Sequence, residues 1–408
     1  MYLKCRDCGK EYPPVLQYVC PSCFGALDVE YVGLENIKID VGELSTRRKD
    51  IWRYIELLPI IDPENIVSLG AGYTELITST RLSKKLGLRK LYLKEDFTNP
   101  THSFKDRAAS VAVSKALEFR LNAVGCASTG NLAAATSAHA ARAGLPCYIF
   151  VPKGVEKEKL SHALSYGARL VVIDGTYDEA NWLAARFAEE YNIGIVNVNI
   201  RPYYVEGSKT LAYEICEQLG WRTPDHIIIP MASGALLNAV DKGLRELKTI
   251  GLIDGEVRIS GVQPEGCSPI VSAYRENREF IKPVREINTI AFSLAIGNPG
   301  DGVYALRTIK RTRGAAIAVS DRDVLEAIRD LAQMEGLFVE PGAAVTVAGL
   351  KKMIEEGLVD RDEEVVCLLT GSGLKTPTII EEYSAQPITL KPSSISELSK
   401  ILGVESIA

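Results

Sequence analysis

From residue 90 onward the chain alternates short apolar runs with stretches that carry a helical spacing of apolar residues. Apolar runs of four to six residues are typical of strands that are buried on both faces of a sheet. Strands that alternate with helices form parallel sheets through right-handed crossovers. The predicted fold class is therefore α/β, doubly wound, with mostly parallel sheets. Strands are predicted at residues 91–95, 125–127, 147–152, 169–173, 193–198, 227–230, 257–262 and 365–369.

The length, the net charge and the distribution of apolar residues argue against several classes of protein. At 408 residues the chain is long enough for two or three domains and a large core. A net charge of −5 with no long basic run argues against nucleic acid or an anionic membrane as a partner. No apolar stretch reaches the roughly 20 residues of a membrane span. The first residues lack a signal-peptide pattern, so a cytoplasmic location is expected.

Two Cys-x-x-Cys pairs, Cys5 with Cys8 and Cys20 with Cys23, open the chain. This spacing is typical of four thiolates around one tetrahedral zinc ion. Four cysteine ligands leave no open coordination position, so the predicted role of the zinc is structural. The alternatives are a set of reduced cysteines and a ribbon that has lost its metal. The segment contains few basic residues, which favours a stabilising module over a nucleic-acid reader.

A connector follows and leads into the main body near residue 66. It carries one predicted helix at residues 42–57, which Pro59 and Pro63 end. Further helices are predicted between the strands of the body. They span residues 108–119, 132–143, 156–166, 178–191, 206–219, 236–247, 321–334 and 344–356.

Residues 99–107, Asn-Pro-Thr-His-Ser-Phe-Lys-Asp-Arg, lie between a predicted strand and a predicted helix. Ser103 is a candidate N-cap for that helix. Lys105 can project its amine into a crevice, and an amine partly withdrawn from water is a nucleophile that can form a Schiff base. The alternative is a surface lysine beside the ion pair of Asp106 and Arg107.

This stretch resembles the cofactor-lysine motif of threonine synthases, which are pyridoxal-phosphate (PLP) enzymes of the tryptophan-synthase-β fold. The Ser-Phe-Lys-x-Arg core is shared with serine and threonine dehydratases, whereas Asn-Pro-Thr and Asp106 are similar to threonine synthase. Residues 370–375, Thr-Gly-Ser-Gly-Leu-Lys, resemble a second signature of that family. The resemblance covers residues 66–378. It implies that Lys105 holds PLP and that Thr370 faces the pyridine nitrogen, where a hydroxyl makes the cofactor a weaker electron sink than a carboxylate would.

The same resemblance implies the domain organisation. A zinc ribbon at residues 1–28 and the connector at 29–65 precede the catalytic body. A small mobile domain at 120–205 is inserted into a large PLP-binding domain, with the cofactor between them. The large domain comprises residues 66–119 and 206–385, and residues 386–408 form a C-terminal tail.

Two further loops join a strand to a helix, where backbone N–H groups and the helix dipole favour an anion. The first holds Ser128, Thr129 and Asn131; by resemblance it grips the substrate carboxylate, and Asn131 contacts the cofactor ring hydroxyl. The second is expected to hold the cofactor phosphate, although the family usually has a richer Gly-Asn-x-Gly-Asn stretch there. The alternatives are a plain helix cap and a plain glycine turn. The phosphate loop comprises Ser233, Gly234, Ala235 and Leu236.

The segment before the Glu-Gly-x-Lys-Thr helix also resembles the family, in which an asparagine and an arginine bind the substrate phosphate. Asn197 is the matching asparagine. The arginine lies three residues early, at Arg201, and Tyr204 occupies the expected position. Arg201 is favoured because a guanidinium suits phosphate; a solvated arginine before a proline turn is the alternative.

The resemblance implies conversion of O-phospho-L-homoserine and water into L-threonine and phosphate by β,γ-replacement, in a homodimer. A related β-replacing enzyme or dehydratase, such as an O-phosphoserine sulfhydrylase, is the second hypothesis. A ribbon-bearing nucleic-acid adaptor is a third, and the acidic charge balance argues against it.

Overall fold

The fold is described by a computed structural model for residues 1–128, 130–154, 157–175, 177–379, 387–391 and 395–403. Its strands fall into three sheets. In chain order the strands are β1 (Tyr2–Cys5), β2 (Glu11–Tyr12), β3 (Leu27–Glu30), β4 (Leu76–Ser79), β5 (Lys90–Lys94), β6 (Ala123–Ala127), β7 (Cys147–Pro152), β8 (Arg169–Ile173), β9 (Ile193–Ile195), β10 (His226–Pro230), β11 (Arg258–Pro264), β12 (Ala316–Val319) and β13 (Glu364–Leu368).

The α-helices lie between these strands, as the alternating pattern predicts. In chain order they are α1 (Val41–Thr46), α2 (Arg81–Leu86), α3 (Lys105–Glu118), α4 (Asn131–Ala143), α5 (Lys157–Ser165), α6 (Tyr177–Tyr191), α7 (Arg201–Gln218), α8 (Ala235–Thr249), α9 (Pro269–Arg275), α10 (Gly302–Arg311), α11 (Asp321–Asp330), α12 (Pro341–Glu355) and α13 (Ile395–Leu402). Short 3₁₀ helices are at Leu34–Asn36, Ile51–Leu57, Pro63–Asn65, Asp96–Thr98, Glu265–Cys267, Phe292–Leu294 and Gly373–Lys375, and a π-helical turn is at Leu331–Glu335.

The predicted α/β class with mostly parallel sheets is confirmed. The large sheet has the order β12-β11-β10-β13-β5-β4, and only its edge strand β4 runs antiparallel to its neighbour. The second sheet, β8-β7-β6-β9, is parallel throughout. All four of its strands lie within the predicted small domain; the division into domains itself stays a prediction.

The core has two main parts. One lies around the large sheet and packs Ile227, Ile229 and Leu368 against Leu237 of α8. The other joins α3 and the small sheet to the N-terminal sheet β2-β1-β3, through fully buried residues such as Leu3. The N-terminal segment therefore shares a hydrophobic core with the catalytic body.

Several predicted boundaries were wrong, each for a local reason. The predicted helix at 42–57 is two short helices, because Arg47 is extended and Asp50 starts a new 3₁₀ helix by accepting from the N–H of Trp52. Helix α7 starts at Arg201 rather than 206, with Pro202 in its first turn, a position that proline tolerates. The helix predicted at 321–334 changes to a π-helical turn after Asp330. Strands β4 and β12 and helices α9 and α10 were not predicted.

Residues Met1–Lys375 form one compact unit, and Thr376–Ala408 form a second that contains α13. Within the described residues there is no helix that combines the length and the hydropathy of a bilayer span.

Candidate active site

Three of the predicted loops leave neighbouring parallel strands at one edge of the large sheet. Strands β10, β13 and β5 are adjacent and parallel, so their carboxyl ends meet at that edge. Beyond them come the loop of Ser233, the loop of Thr370 and the segment that leads to Lys105. Crevices outside the carboxyl ends of parallel strands are where open α/β sheets bind ligands.

Backbone hydrogen bonds join the lysine segment to the Thr370 loop. The N–H of Phe104 donates to the carbonyl oxygen of Thr370 at 3.0 Å, and the N–H of Ser372 donates to the carbonyl of His102 at 3.1 Å. Ser103 and Gly371 form an isolated bridge between them. The two segments that carry the family signatures are therefore held in direct register.

The amine of Lys105 lies among aromatic rings. Its Nζ is 4.4 Å from the ring centroid of Phe104 and 5.7 Å from that of Tyr204. No carboxylate in the described part of the chain forms a salt bridge with it. The alternative of a surface lysine beside an Asp106–Arg107 pair does not hold, since both of those residues are fully buried and bond elsewhere.

Arg107 anchors the start of α3 below the lysine. Its Nε donates to both oxygens of Asp96 at 3.0 Å, and its Nη2 donates to Glu214 at 2.7 Å. Glu214 also accepts from Lys94 at 2.9 Å. Burial opposes the charge of Glu214, but the positive charges of Arg107 and Lys94 lower its pKa to about 2. This ion network ties β5, α3 and α7 together and fixes where the helix begins.

Asp106 faces the other way, into a buried space. One of its oxygens accepts from the N–H and hydroxyl of Thr101, at 2.8 and 2.9 Å. Its Oδ1 has no hydrogen-bond partner among the described residues and lies 3.7 Å from Nδ1 of His139. Burial raises the pKa of Asp106 to about 7 and lowers the pKa of His139 to about 4. The hydroxyl of Ser103 is also buried and has no hydrogen-bond partner in the described part of the chain. The predicted N-cap role of Ser103 is wrong: Phe104 occupies the cap position, with no side-chain cap bond.

Asn131 begins α4 and is held by two residues that the sequence analysis did not assign to the site. Its amide nitrogen donates to the carboxylate of Glu340 at 3.0 and 3.2 Å, and its oxygen accepts from Nζ of Lys375 at 2.8 Å. Ser293 also donates to Glu340, at 3.0 Å. Burial raises the pKa of Glu340 and lowers the pKa of Lys375. Two features of the sequence could have indicated these residues. Glu340 directly precedes the first proline of α12, and Lys375 ends the second signature.

The rest of the predicted carboxylate loop is partly described. The hydroxyl of Ser128 accepts a long bond of 3.4 Å from the N–H of Gly130, and Thr129 lies outside the described residues. The side-chain oxygen of Asn197 accepts from the N–H of Ala127 at 3.2 Å. The structure therefore brings Asn197 to the carboxyl end of β6, next to Ser128.

The loop before α8 has the geometry of a phosphate cradle. Gly234 has a φ of +92°, which favours glycine, and a Cβ there would lie 2.8 Å from Cβ of Ala305. The first helical bond of α8 runs from Asn238 to Gly234, so the N–H groups of Ala235 and Leu236 precede the helical ladder.

Arg201 and Tyr204 are placed differently with respect to this site. Tyr204 faces Lys105, whereas Arg201 pairs with the carboxylate of Asp301. Burial opposes the charge of Arg201, but Asp301 outweighs it and raises the arginine's pKa.

The four N-terminal cysteines converge. Their sulfur atoms all lie within 4.8 Å of one another, with 3.4 Å between Cys5 and Cys23 and 3.6 Å between Cys8 and Cys20. Strand β1 pairs with β2 and β3 beside them, which makes a small antiparallel sheet.

Residues 67–371 match the family model of pyridoxal-phosphate dependent enzymes. The threonine synthase of Methanocaldococcus jannaschii is 41% identical over 406 residues, which is 98% of this chain and 99% of that protein. The chain belongs to the threonine synthase family. The threonine synthase of Methanosarcina acetivorans is 40% identical over 95% of each chain. A tomato threonine deaminase has the same fold, with a TM-score of 0.66 at 21% identity over 85% of this chain and 95% of that one.

In this threonine synthase family member, the residues at the carboxyl ends of β5, β10 and β13 fit PLP. They offer an amine without a described carboxylate partner, a helix start at which Gly234 leaves no room for a side chain, and a buried hydroxyl, that of Ser103, without a described partner. An aldehyde-bearing phosphate ester requires an amine and an anion cradle of this kind.

Proposed function

We propose that the protein is a PLP-dependent lyase that converts O-phospho-L-homoserine and water into L-threonine and phosphate. The observation that carries the proposal is the 41% identity to a threonine synthase over 98% of the chain. PLP supplies an electron sink that makes the substrate's Cα–H and Cβ–H bonds acidic. The side chains of this protein then determine which of the substrate's protons are transferred.

Lys105 is assigned the covalent attachment of PLP and the transfer of protons at the substrate. Its freed Nζ takes the Cα proton. Loss of a Cβ proton expels phosphate from Cγ. A proton at Cγ, a hydroxyl from water at Cβ and a proton returned to Cα complete threonine, and the remaining proton of the water leaves with the phosphate. The rings of Phe104 and Tyr204 flank this amine, with their centroids 4.4 and 5.7 Å from Nζ, and support its orientation for repeated proton transfer.

Asn131, Glu340 and Thr370 are assigned to the cofactor ring. Asn131 suits the ring hydroxyl, and its bonds to Glu340 and Lys375 fix which way its amide points. Thr370 is assigned to the pyridine nitrogen. The phosphate of PLP is assigned to the backbone donors of residues 234–236 and to the hydroxyl of Ser233.

The substrate presents two anions. Its carboxylate is assigned to Ser128, Thr129 and Asn131 at the start of α4. For its phosphate, Asn197 and Tyr204 remain candidates, while Arg201 is already neutralised by Asp301. Lys375 has no salt bridge to a carboxylate in the described residues and donates only to an amide, so its charge is available for the substrate phosphate.

Three further assignments complete the proposal. The four cysteines hold one structural zinc ion, since four sulfur atoms at this separation suit a closed tetrahedral site. The active form is a homodimer, and its location is cytoplasmic. Metal analysis, light scattering and cell fractionation test these assignments.

The deciding experiment is an assay of phosphate release from O-phospho-L-homoserine with chromatographic identification of threonine. O-phospho-L-serine with sulfide is assayed alongside. The phosphate loop and the position of Arg201 differ from the threonine synthase pattern, which makes a β-replacing relative the second candidate. Threonine and phosphate in equal amounts support the proposal. Cysteine from O-phosphoserine with no threonine would replace it with the second candidate.

A further inference from the structure

The four-cysteine module contacts the start of helix α10 through Arg6 and Asp7. The guanidinium of Arg6 donates to both oxygens of Asp28, at 2.7 and 2.6 Å, and lies 5.0 Å from the ring centroid of Tyr304. The hydroxyl of Tyr304 donates to Asp7 at 2.6 Å. The charged side chains next to the first cysteine pair are thus turned toward the catalytic body.

Arg6 also reaches the residue that precedes α10. Its Nη1 is 3.7 Å from Oδ1 of Asp301, whose other carboxylate oxygen pairs with Arg201. The side chain of Asp301 is only 3% exposed, so water screens these charges little. A buried carboxylate between two arginines is held in one position.

Asp301 in turn forms one wall of the phosphate cradle. Its N–H donates to the carbonyl oxygen of Ser233 at 3.1 Å, and its own carbonyl accepts from Asn238 of α8 at 3.3 Å. A Cβ on Gly234 would lie 3.1 Å from that same carbonyl oxygen. The position of Asp301 therefore sets the path of the backbone that is assigned to the cofactor phosphate.

The four-cysteine module has no excess of positive charge with which to bind an anionic partner. Residues 1–28 contain three basic and three acidic side chains, Lys4, Arg6 and Lys10 against Asp7, Glu11 and Asp28. Its most buried cation, Arg6, is directed inward. An electrically balanced module of this kind does not suit a polyanion such as nucleic acid.

We propose that Arg6 is a positioning residue for the cofactor phosphate, which it supports through Asp301 and the backbone of Ser233 and Gly234. The four-cysteine module thereby helps to set the affinity of the enzyme for PLP, at a distance from the reacting atoms. The inference rests on the assignment of the 233–236 loop to the cofactor phosphate.

The test compares Arg6→Gln and Arg6→Lys with a matched control, Lys4→Gln. Lys4 lies two residues before Arg6, on β1, its side chain is 44% exposed, and among the described residues it pairs with Glu11 alone, at 3.5 Å. Each full-length protein is stripped of cofactor and titrated with PLP and, separately, with pyridoxal, which has the aldehyde but no phosphate. Binding is followed by absorbance, and ³¹P NMR reports the environment of the bound phosphate.

We expect Arg6→Gln to weaken PLP binding about tenfold while pyridoxal binding is unchanged, a coupling in the usual range for residues that act through others. The ³¹P signal should shift or broaden, Arg6→Lys should restore part of the affinity, and Lys4→Gln should match the parent. Equal losses for PLP and pyridoxal, or no loss for either, would overturn the proposal.

A variant that fails to fold is replaced by Tyr304→Phe, which removes the hydrogen bonds of the Tyr304 hydroxyl to Asp7 and from the N–H of Ala26 but leaves Arg6 in place. The same selective loss of PLP affinity is expected, at a smaller size, and an unchanged ratio of PLP to pyridoxal affinity would count against the proposal. Because the readout is cofactor binding, a failure to form threonine would refute the proposed reaction and leave this test intact.

Discussion

The backbone N–H of Phe104 donates to the carbonyl oxygen of Thr370 at 3.0 Å, which joins the segment of Lys105, the proposed cofactor lysine, to the loop assigned to the pyridine nitrogen. The bond joins the two segments through main-chain atoms, so side-chain substitutions there should change their chemistry more than their geometry. Five predictions follow from the surroundings of this pair and from the cysteine cluster.

Replacement of Lys105 by alanine should abolish the absorbance band of lysine-bound PLP and lower turnover by at least about a thousandfold, because the amine acts in both attachment and proton transfer. Spectra of the purified protein and the phosphate-release assay measure the two effects. Lys84→Ala, at an exposed position of α2, is the control and should resemble the parent. Retained turnover would remove Lys105 from its role.

Asp106→Asn should stabilise the protein at neutral pH. Burial raises the pKa of the folded-state carboxyl to about 7, so the native state binds more protons than the unfolded state between about pH 4 and 7. The charge of Asp106 does not destabilise the folded state below the pKa of the unfolded chain, and its destabilising effect is complete above pH 7. Removal of that charge should there add roughly 2 to 4 kcal/mol to the unfolding free energy.

Chemical denaturation of Asp106→Asn and the parent from pH 4 to pH 8 measures this difference. Thr101 can still donate to the amide oxygen, so the hydrogen bonds survive. Asp254→Asn, at an exposed site, should show no such pH dependence. A difference that does not grow with pH would contradict the prediction.

Lys375→Met should raise the KM for O-phospho-L-homoserine about tenfold and weaken inhibition by inorganic phosphate to a similar extent, since one charge-assisted contact is lost. Cofactor absorbance should persist. Lys282→Met, at an exposed position, serves as the control. An unchanged KM with a lower kcat would place Lys375 at the cofactor ring instead of the substrate phosphate.

Gly234→Ala should weaken PLP binding by about tenfold or more, because the new methyl group meets Ala305 and Asp301 in the cradle. Gly251→Ala separates this effect from backbone strain: Gly251 also has a positive φ, of +77°, but nothing lies within 4 Å of an added Cβ. Titration with PLP should show a loss for the first variant alone, while thermal unfolding should show a modest loss for both.

Cys8→Ser should lower the zinc content of the purified protein from about one equivalent toward zero and reduce its melting temperature, because a tetrahedral site loses one of its four ligands. Elemental analysis measures the metal. Cys216→Ala, at a buried cysteine far from the cluster in sequence, should keep the metal. A parent protein that contains no zinc would refute the assignment.

The sequence alone predicts the fold class because buried strands and helices leave strong periodic signals, and the strands at 147–152 and 169–173 match their predictions residue for residue. It predicts less where tertiary contacts override local pattern. The helix predicted at 42–57 is divided by Asp50, whose capping bond begins a new helical segment that periodicity does not reveal.

The candidate site shows the same limit. Lys105, Thr370 and Asn131 are proposed from short motifs, because each motif is local in sequence. Glu340 is not, since its role depends on a bond to Asn131 that only the folded chain creates. Asp301 is not predicted from the sequence for the same reason, since none of its sequence neighbours indicates that it pairs with Arg201.

The bond between Phe104 and Thr370 also has a consequence for how the protein is made. Its two partners are separated by most of the chain, and strand β13, which delivers Thr370, inserts between β5 and β10. During synthesis from the N-terminus, the segment of Lys105 therefore cannot bond to Thr370 until residue 370 has left the ribosome. A nascent chain that stops before residue 364 contains Lys105 but lacks the strand that lies between β5 and β10, so on the proposed assignments the capacity to retain the coenzyme is acquired late in synthesis.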